Sequence, residues 1–243
     1  MLNLGTEKIT ALHLGGEQIQ KAYLGEALVF GAGTGPGPSR LPEGYTEVEY
    51  IESSGGARID TLQKPVLTLK IAMDVEPLSA NQSNTGQCFL GVPGVQAGNY
   101  TYTAYVNWLK GVHGGIGRWY SYGSGTVVTT DKVITNDGTP RRMHIEVDWP
   151  NKTIAVDEDS ASYTTNNVVT SFQTLCLFAT SKTGTSNLLD ARLYSCQMYI
   201  SDEAVRDFVP CIDPTGAIGL YDLVEGKFYG NAGTGVFTAG PTI

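Results

Sequence analysis

From Arg40 to the end of the chain, apolar residues recur at every second position or in short runs, a period that leaves little to build except β-sheet. Val66-Leu-Thr-Leu-Lys-Ile-Ala-Met-Asp-Val75 is strand-like throughout, and Tyr100-Thr-Tyr102-Thr-Ala-Tyr-Val106 alternates aromatic with small residues. Thr126–Ile134 is rich in β-branched side chains. His144-Ile-Glu-Val-Asp-Trp149 alternates polar and apolar residues, Pro150-Asn-Lys supplies a turn, and Thr153-Ile-Ala-Val-Asp157 completes a hairpin. Leu175–Ala179 reads as a continuously buried strand and Ala191–Ile200 as another. One helical turn is expected, over Ser201–Asp207, with Ser201 as its cap and Glu203 in the acidic first turn. Strands spaced by about 8–15 residues over roughly 200 residues predict a two-sheet sandwich rather than several small domains.

The first thirty residues repeat. Leu2-Asn-Leu4-Gly5-Thr-Glu-Lys-Ile9 recurs as Leu12-His-Leu14-Gly15-Gly-Glu-Gln-Ile19 and, degraded, as Ala22-Tyr-Leu24-Gly25-Glu-Ala-Leu-Val29. Each unit predicts a short strand, a glycine turn and a second short strand. Three such units bury too little apolar surface to be stable alone. Leu4, Ile9, Leu14, Ile19, Leu24 and Val29 are therefore the candidate residues for attachment or oligomerisation. The plainer alternative is a meander packed on the chain's own C-terminal domain. Gly31-Ala-Gly-Thr-Gly-Pro-Gly-Pro38 sustains neither helix nor ladder and reads as a spacer. The expected organisation is a β-repeat over 1–30, a Gly/Pro linker over 31–39, and a sandwich over 40–243.

Composition narrows the function classes. Lys and Arg number 16 against 24 Asp and Glu, a net charge of −8 with no basic cluster, which argues against nucleic acid as a partner. No apolar run reaches the ~18–20 residues of a membrane span, so no membrane insertion is expected. The opening Met-Leu-Asn-Leu-Gly has neither the basic nor the apolar region of a standard secretory signal. Cys88, Cys176, Cys196 and Cys211 are too widely spaced for a zinc knuckle or a redox CxxC pair. They are expected to be small, reduced core residues, with Cys196 and Cys211 the pair in which to look for a disulfide.

Two end segments carry a resemblance. Leu41-Pro-Glu-Gly-Tyr-Thr-Glu-Val-Glu-Tyr-Ile-Glu-Ser-Ser-Gly55, followed by Arg58-Ile-Asp-Thr61, resembles the opening of a module common in tail and other virion proteins of phages infecting gut bacteria. The closing segments are similar too: Arg192-Leu-Tyr-Ser-Cys-Gln-Met-Tyr199, Val205-Arg-Asp-Phe-Val-Pro-Cys211, Gly219-Leu-Tyr-Asp-Leu-Val224 and Phe228-Tyr-Gly-Asn-Ala-Gly-Thr-Gly235. The middle, Arg142-Met-His-Ile-Glu-Val-Asp with Thr153-Ile-Ala-Val-Asp157, resembles the central hairpin of laminin-G-like, concanavalin-A-like jelly rolls. The resemblance spans roughly residues 41–239 and implies a jelly roll carried on a virion, often placed to touch host-surface glycans. Related modules commonly carry an aromatic residue before Ile-Asp-Thr, where this chain has Arg58.

The concanavalin-A-like fold also hosts glycoside hydrolases, which need two carboxylates on one face of a strand. Glu146 and Asp148 supply the first two acids of a Glu-x-Asp strand, but Pro150 and Asn151 stand where the second catalytic Glu would fall. They are read as polar residues on the exposed face of an alternating strand. Ser124 lies in Tyr-Gly-Ser-Gly-Thr126, which lacks the spacing of a nucleophile elbow. Gly31-Ala-Gly-Thr-Gly lacks the lysine of a phosphate loop. The sharpest binding candidate is the aromatic-rich stretch Asn99–Gly125, in which Trp108, Trp119 and Tyr120, with Asn107 as polar partner, would form a glycan platform. Against it stands the simpler reading that these rings line the sandwich interior. Laminin-G-like modules often bind calcium, and Asp157-Glu-Asp159, Asp131 and Asp137 are acidic loop candidates, so no cofactor is expected beyond a structural calcium.

The expected protein is all-β: a concanavalin A/laminin-G-like jelly-roll sandwich preceded by a small N-terminal β-repeat. Its expected role is a non-enzymatic virion component of tail-fibre or head-fibre type, assembled in the bacterial host cytoplasm. The first thirty residues would anchor a homotrimer, with other virion proteins and a host-surface glycan as partners. The alternatives are a purely architectural decoration or baseplate protein, and a carbohydrate-active enzyme.

Overall fold

A computed structural model describes strand backbone within residues 3–31, and residues 40–66, 68–78, 87–96, 99–108, 122–123, 126–127, 140–162, 173–179, 183 and 188–243; side chains are described for 40–66, 68–78, 88–92, 140–158, 160, 173–179, 183 and 188–243. The chain divides into two compact units, Met1–Ser39 and Arg40–Ile243.

In the first unit each ten-residue repeat is one hairpin. Strands β1 (Asn3–Leu4) and β2 (Glu7–Lys8), β3 (Leu12–Leu14) and β4 (Glu17–Ile19), and β5 (Lys21–Leu24) and β6 (Ala27–Gly31) pair antiparallel. The closing pairs Leu4↔Glu7, Leu14↔Glu17 and Leu24↔Ala27 recur at the same spacing in each repeat. Of the six candidate attachment residues, Leu4, Leu14, Ile19, Leu24 and Val29 stand in these strands, and Ile9 lies outside the described residues.

The second unit is all-β and antiparallel, with two main sheets in a sandwich-like arrangement, a separate pair of short strands, and no helix among the described residues. Its strands are β7 (Thr46–Glu47), β8 (Ile51–Ser54), β9 (Ile59–Asp60), β10 (Leu69–Pro77), β11 (Gln87–Gln96), β12 (Asn99–Trp108), β13 (Tyr122–Gly123), β14 (Thr126–Val127), β15 (Met143–Asp148) and β16 (Thr153–Val156). They continue as β17 (Asp159–Ser162), β18 (Cys176–Leu177), β19 (Ala191–Ile200), β20 (Glu203–Ile212), β21 (Ile218–Asp222), β22 (Lys227–Tyr229) and β23 (Val236–Ala239). The larger sheet runs β17-β16-β15-β10-β19-β20-β21-β22, with β7, β8 and β23 joined at its side; the smaller runs β12-β11-β18-β9.

Alternation puts the core between the sheets. β10 buries Leu69, Ile71, Met73 and Val75, and β15 buries Met143, Ile145 and Val147, while the residues between them are partly or fully exposed. Phe89, Leu90 and Val92 of β11, with Ile59 and Leu177, close the same cluster from the smaller sheet. The hairpin expected around Pro150-Asn-Lys is present: Asp148 pairs with Thr153, and Asp148 Oδ1 accepts the Asn151 N–H at 2.9 Å.

One expectation is corrected. Ser201–Asp207 is not a helical turn. Ile200 pairs with Glu203, and Ser201 and Asp202 form the two-residue turn between them with φ of 52° and 68°, the left-handed pair of a type I′ hairpin. Residues 203–207 instead start β20, which is held between β19 and β21. As expected of reduced core residues, Cys196 and Cys211 are free and buried, and they are not joined to each other. Cys196 pairs with Phe208, three residues short of Cys211 and so about 10 Å away along the strand. An odd separation also sends the two side chains to opposite faces, where they belong to different apolar clusters.

The two ends that carry the resemblance meet. β23 pairs along β8 from Val236↔Ser54 to Ala239↔Ile51, and Val48 bridges to Thr242. Asn231 Oδ1 accepts the N–H groups of Arg58 at 3.2 Å and Gly233 at 2.7 Å, and its Nδ2 donates to Gly235 O at 2.6 Å. A Cβ on Gly235 would lie 1.9 Å from Ser54 O, so only glycine permits this approach. Arg58 itself is buried.

Candidate functional site: a charged and aromatic network on the open face of the larger sheet

The face of the larger sheet turned away from the core carries a connected set of charges and rings, and the strand register dictates its pairs. Asp74 of β10 stands opposite His144 of β15, and their side chains meet at 2.6 Å through Nδ1. Lys70 stands opposite Asp148 and reaches it at 3.5 Å, while also pairing with Asp202 in the β19–β20 turn at 2.7 Å. Arg192 of β19 stands opposite both Glu76 and Glu52; its Nη1 and Nε reach them at 3.4 and 2.8 Å. Gln197 and Asp207, opposite in β19 and β20, are joined at 3.2 Å. Ala72 stands opposite Glu146 and offers it no partner, so Glu146 reaches along its own strand to His144 Nε2 at 3.2 Å. Direct cross-strand pairing is what brings opposite charges together in antiparallel sheet.

A bulge places the central ring. The β10–β19 register shifts between Asp74 and Val75, where two residues of β19, Tyr194 and Ser195, occupy the place of one. Leu193 and Cys196 thereby both stay buried, and Tyr194 falls on the open face. The Arg142 guanidinium lies 3.9 Å from the centre of the Tyr194 ring, and Arg192 lies 4.6 Å from that of Tyr50. The two rings meet edge to face at 5.4 Å. Gly240 backs the Tyr50 ring, where a Cβ would stand 2.9 Å from it. Tyr194 Oη donates to Glu76 Oε2 at 2.5 Å.

Proton affinities follow from these contacts. Burial, with the Glu76 carboxylate behind it, pushes the Tyr194 phenol up to about 12. Hydrogen bonding to Asp74 raises His144 above its ordinary value, burial opposing, with Glu146 adding to the rise. Burial pushes Asp74 upward, but His144 and Arg142 outweigh it and hold the carboxyl below the ordinary aspartate value. Asp148 behaves in the same way: burial is outweighed by the Asn151 hydrogen bonds and Lys70. A general acid requires the opposite shift. The network is suited to holding charge in place, and both guanidinium groups are committed to rings and carboxylates.

The sequence-expected platform falls mostly outside the described residues. Asn107 and Trp108 end β12, opposite Cys88 and Gln87 of β11, and their side chains lie outside the described residues, as do Trp119 and Tyr120 altogether. Ser124, Asp131 and Asp137 are also outside them. Asp157 is engaged by the Arg141 guanidinium at 2.5 Å and the His144 N–H at 2.9 Å. Among the described residues no group of three or more His, Cys, Asp or Glu is placed to hold a metal ion. Sequence reasoning placed Glu146 and Asp148 on an exposed face but missed Tyr50, Glu52, Asp74, Glu76, Arg192 and Tyr194. The signal was the charge at Lys70, Asp74 and Glu76, all on one face of an alternating strand. In comparisons with protein-family models, curated proteins and solved structures, nothing matches the chain.

Proposed function

We propose that the chain is a non-enzymatic structural protein of a phage virion, of tail-fibre or head-fibre type. In this reading Arg40–Ile243 is a laminin-G-like jelly roll that meets host-surface glycan, and the N-terminal repeat anchors it as a homotrimer beside other virion proteins. The observation that carries the reading is the pairing of three ten-residue hairpins, too small to stand alone, with a much larger β-unit beyond a Gly/Pro-rich run. The interlock of Ser54–Arg58 with Asn231–Gly235 supports it as well, because the two segments most like the virion module are one structural feature. The presence of Pro150 and Asn151 where a second catalytic Glu would fall favours binding over hydrolysis at the Glu146/Asp148 strand. Linked copies would gain avidity from weak individual sites.

A second, purely architectural reading is favoured by one observation. The rings on the open face, Tyr50 and Tyr194, already stack with Arg192 and Arg142, which leaves that face poorly suited to stacking on sugar. Light scattering on the full chain and on a chain starting at Ser39 tests the anchor: trimer against monomer supports it, and monomer in both removes it. Binding of the full chain to an array of gut-bacterial surface polysaccharides separates the two readings. Saturable binding lost in Trp108→Ala or Trp119→Ala supports glycan recognition, and binding no better than a control protein leaves the architectural role.

A further inference from the structure

β20 departs from alternation in a way that reveals a removable cover. Phe208, Val209, Pro210 and Cys211 are all buried, so this strand is covered on both faces. Phe208 turns inward to the main core, with Leu220 and Tyr229. Val209 and Cys211 turn outward, and register puts Tyr221 opposite Val209 and Phe228 opposite Tyr221 on that same outer face. A second apolar cluster forms there, made of Leu41, Val209, Cys211 and Tyr221 with Tyr45, Leu223 and Phe228 packed against it. Its lid is the segment Arg40–Tyr45: Leu41 is 6 % exposed, and the Tyr45 ring meets Tyr221 at 5.0 Å and Phe228 at 6.1 Å.

We propose that Arg40–Tyr45 is a releasable clasp, an apolar strap that lifts from the outer face of β20–β22 while the sandwich core stays folded, baring the groove and the Cys211 thiol beneath. Three features carry this. The strap's cluster shares no residue with the main core, so opening it leaves the packing between the sheets untouched. The ladder that follows is short, with Glu47↔Cys211 and Thr46↔Ile212 its two pairs, and the Arg40–Glu47 ion pair closing the strap is largely exposed at its arginine. The strap also begins where the Gly/Pro-rich run ends, so a pull on that run reaches the clasp before any core strand.

Cys211 reports opening of the clasp, and Cys196, in the main core, reports global unfolding. Iodoacetamide labelling of the full chain, with each thiol located by peptide mass spectrometry, should modify Cys211 well ahead of Cys196. Leu41→Ala should raise the Cys211 rate roughly 10–100-fold and leave Cys196 unchanged. Equal acceleration of both thiols, or of neither, overturns the proposal. A measurement on the unmodified chain guards against a poorly folding variant. At low urea the Cys211 rate should rise only slightly, since local opening exposes little surface, while that of Cys196 rises steeply. The same steep dependence for both would show that the strap opens only with the whole unit.

Discussion

Arg206→Met tests whether a buried charge holds the β20–β22 side of the sandwich together. Asp222 is fully buried; its Oδ1 accepts the N–H groups of Asp207 and Val224 at 2.9 and 3.0 Å, and its Oδ2 lies 3.6 Å from Arg206 Nε. That Nε also donates to Thr61 O at 3.1 Å, and Nη1 reaches Val205 O and Glu225 Oε1, both at 2.6 Å. Across 3.6 Å the gross attraction is about 5 kcal/mol at an effective dielectric constant of about 20. Methionine fills much of the arginine stem but leaves Asp222 without a counter-charge. Glu225, whose side chain is 39 % exposed, turns to water at little cost; Asp222, at 0 %, does not. The net loss should therefore be about 3–5 kcal/mol. With a urea m-value of about 2.5 kcal/mol/M, the midpoint of unfolding should fall by about 1–2 M, read by tryptophan fluorescence. Asp222→Asn keeps an oxygen for the two N–H groups, and in its presence Arg206→Met should cost at least about 2 kcal/mol less. A midpoint shift below about 0.4 M, or strict additivity of the two changes, refutes the reasoning, because Asp222 would then be solvated.

Gly235→Ala forces a Cβ against Ser54 O, and the overpacking should remove about 2–3 kcal/mol, lowering the melting temperature by roughly 5–10 °C in calorimetry. His144 has its proton affinity raised in the fold, so its contribution to stability is complete below its unfolded pKa, about 6.5, and is lost as pH rises through the higher folded value. His144→Gln should flatten the decline in urea midpoint from about pH 6.5 upward, and an unchanged slope would assign it to another group. Thiol titration of the denatured, unreduced protein should find four free thiols, against two if Cys196 and Cys211 were joined.

Local residue order was sufficient for the strands. Alternation at Leu69–Pro77 and Met143–Asp148 places one face in the core whatever the neighbours are, and Ala191–Ile200 appears with the bounds its sequence suggests. The ten-residue repeat likewise predicts three short hairpins, and β1–β2, β3–β4 and β5–β6 pair as such. The concentration of Trp and Tyr between Asn99 and Gly125 drew attention to residues whose side chains lie outside the described set, and away from Tyr50 and Tyr194.

Only the tertiary structure decided the rest. Ser201-Asp-Glu suits a helix cap and a type I′ hairpin equally well; pairing of Glu203–Ile212 with β19 and β21, and burial of Arg206 beside Asp222, select the hairpin. The alternation rule fails at Phe208–Cys211 because Leu41 and Tyr45, more than 160 residues earlier in the chain, cover the outer face. The open-face network depends on register. Asp74 meets His144, and Arg192 meets Glu52 and Glu76, only because their strands align at those positions. A period of two is set by the backbone alone and is visible in any single strand, whereas register and the covering of a face arise from packing between distant segments.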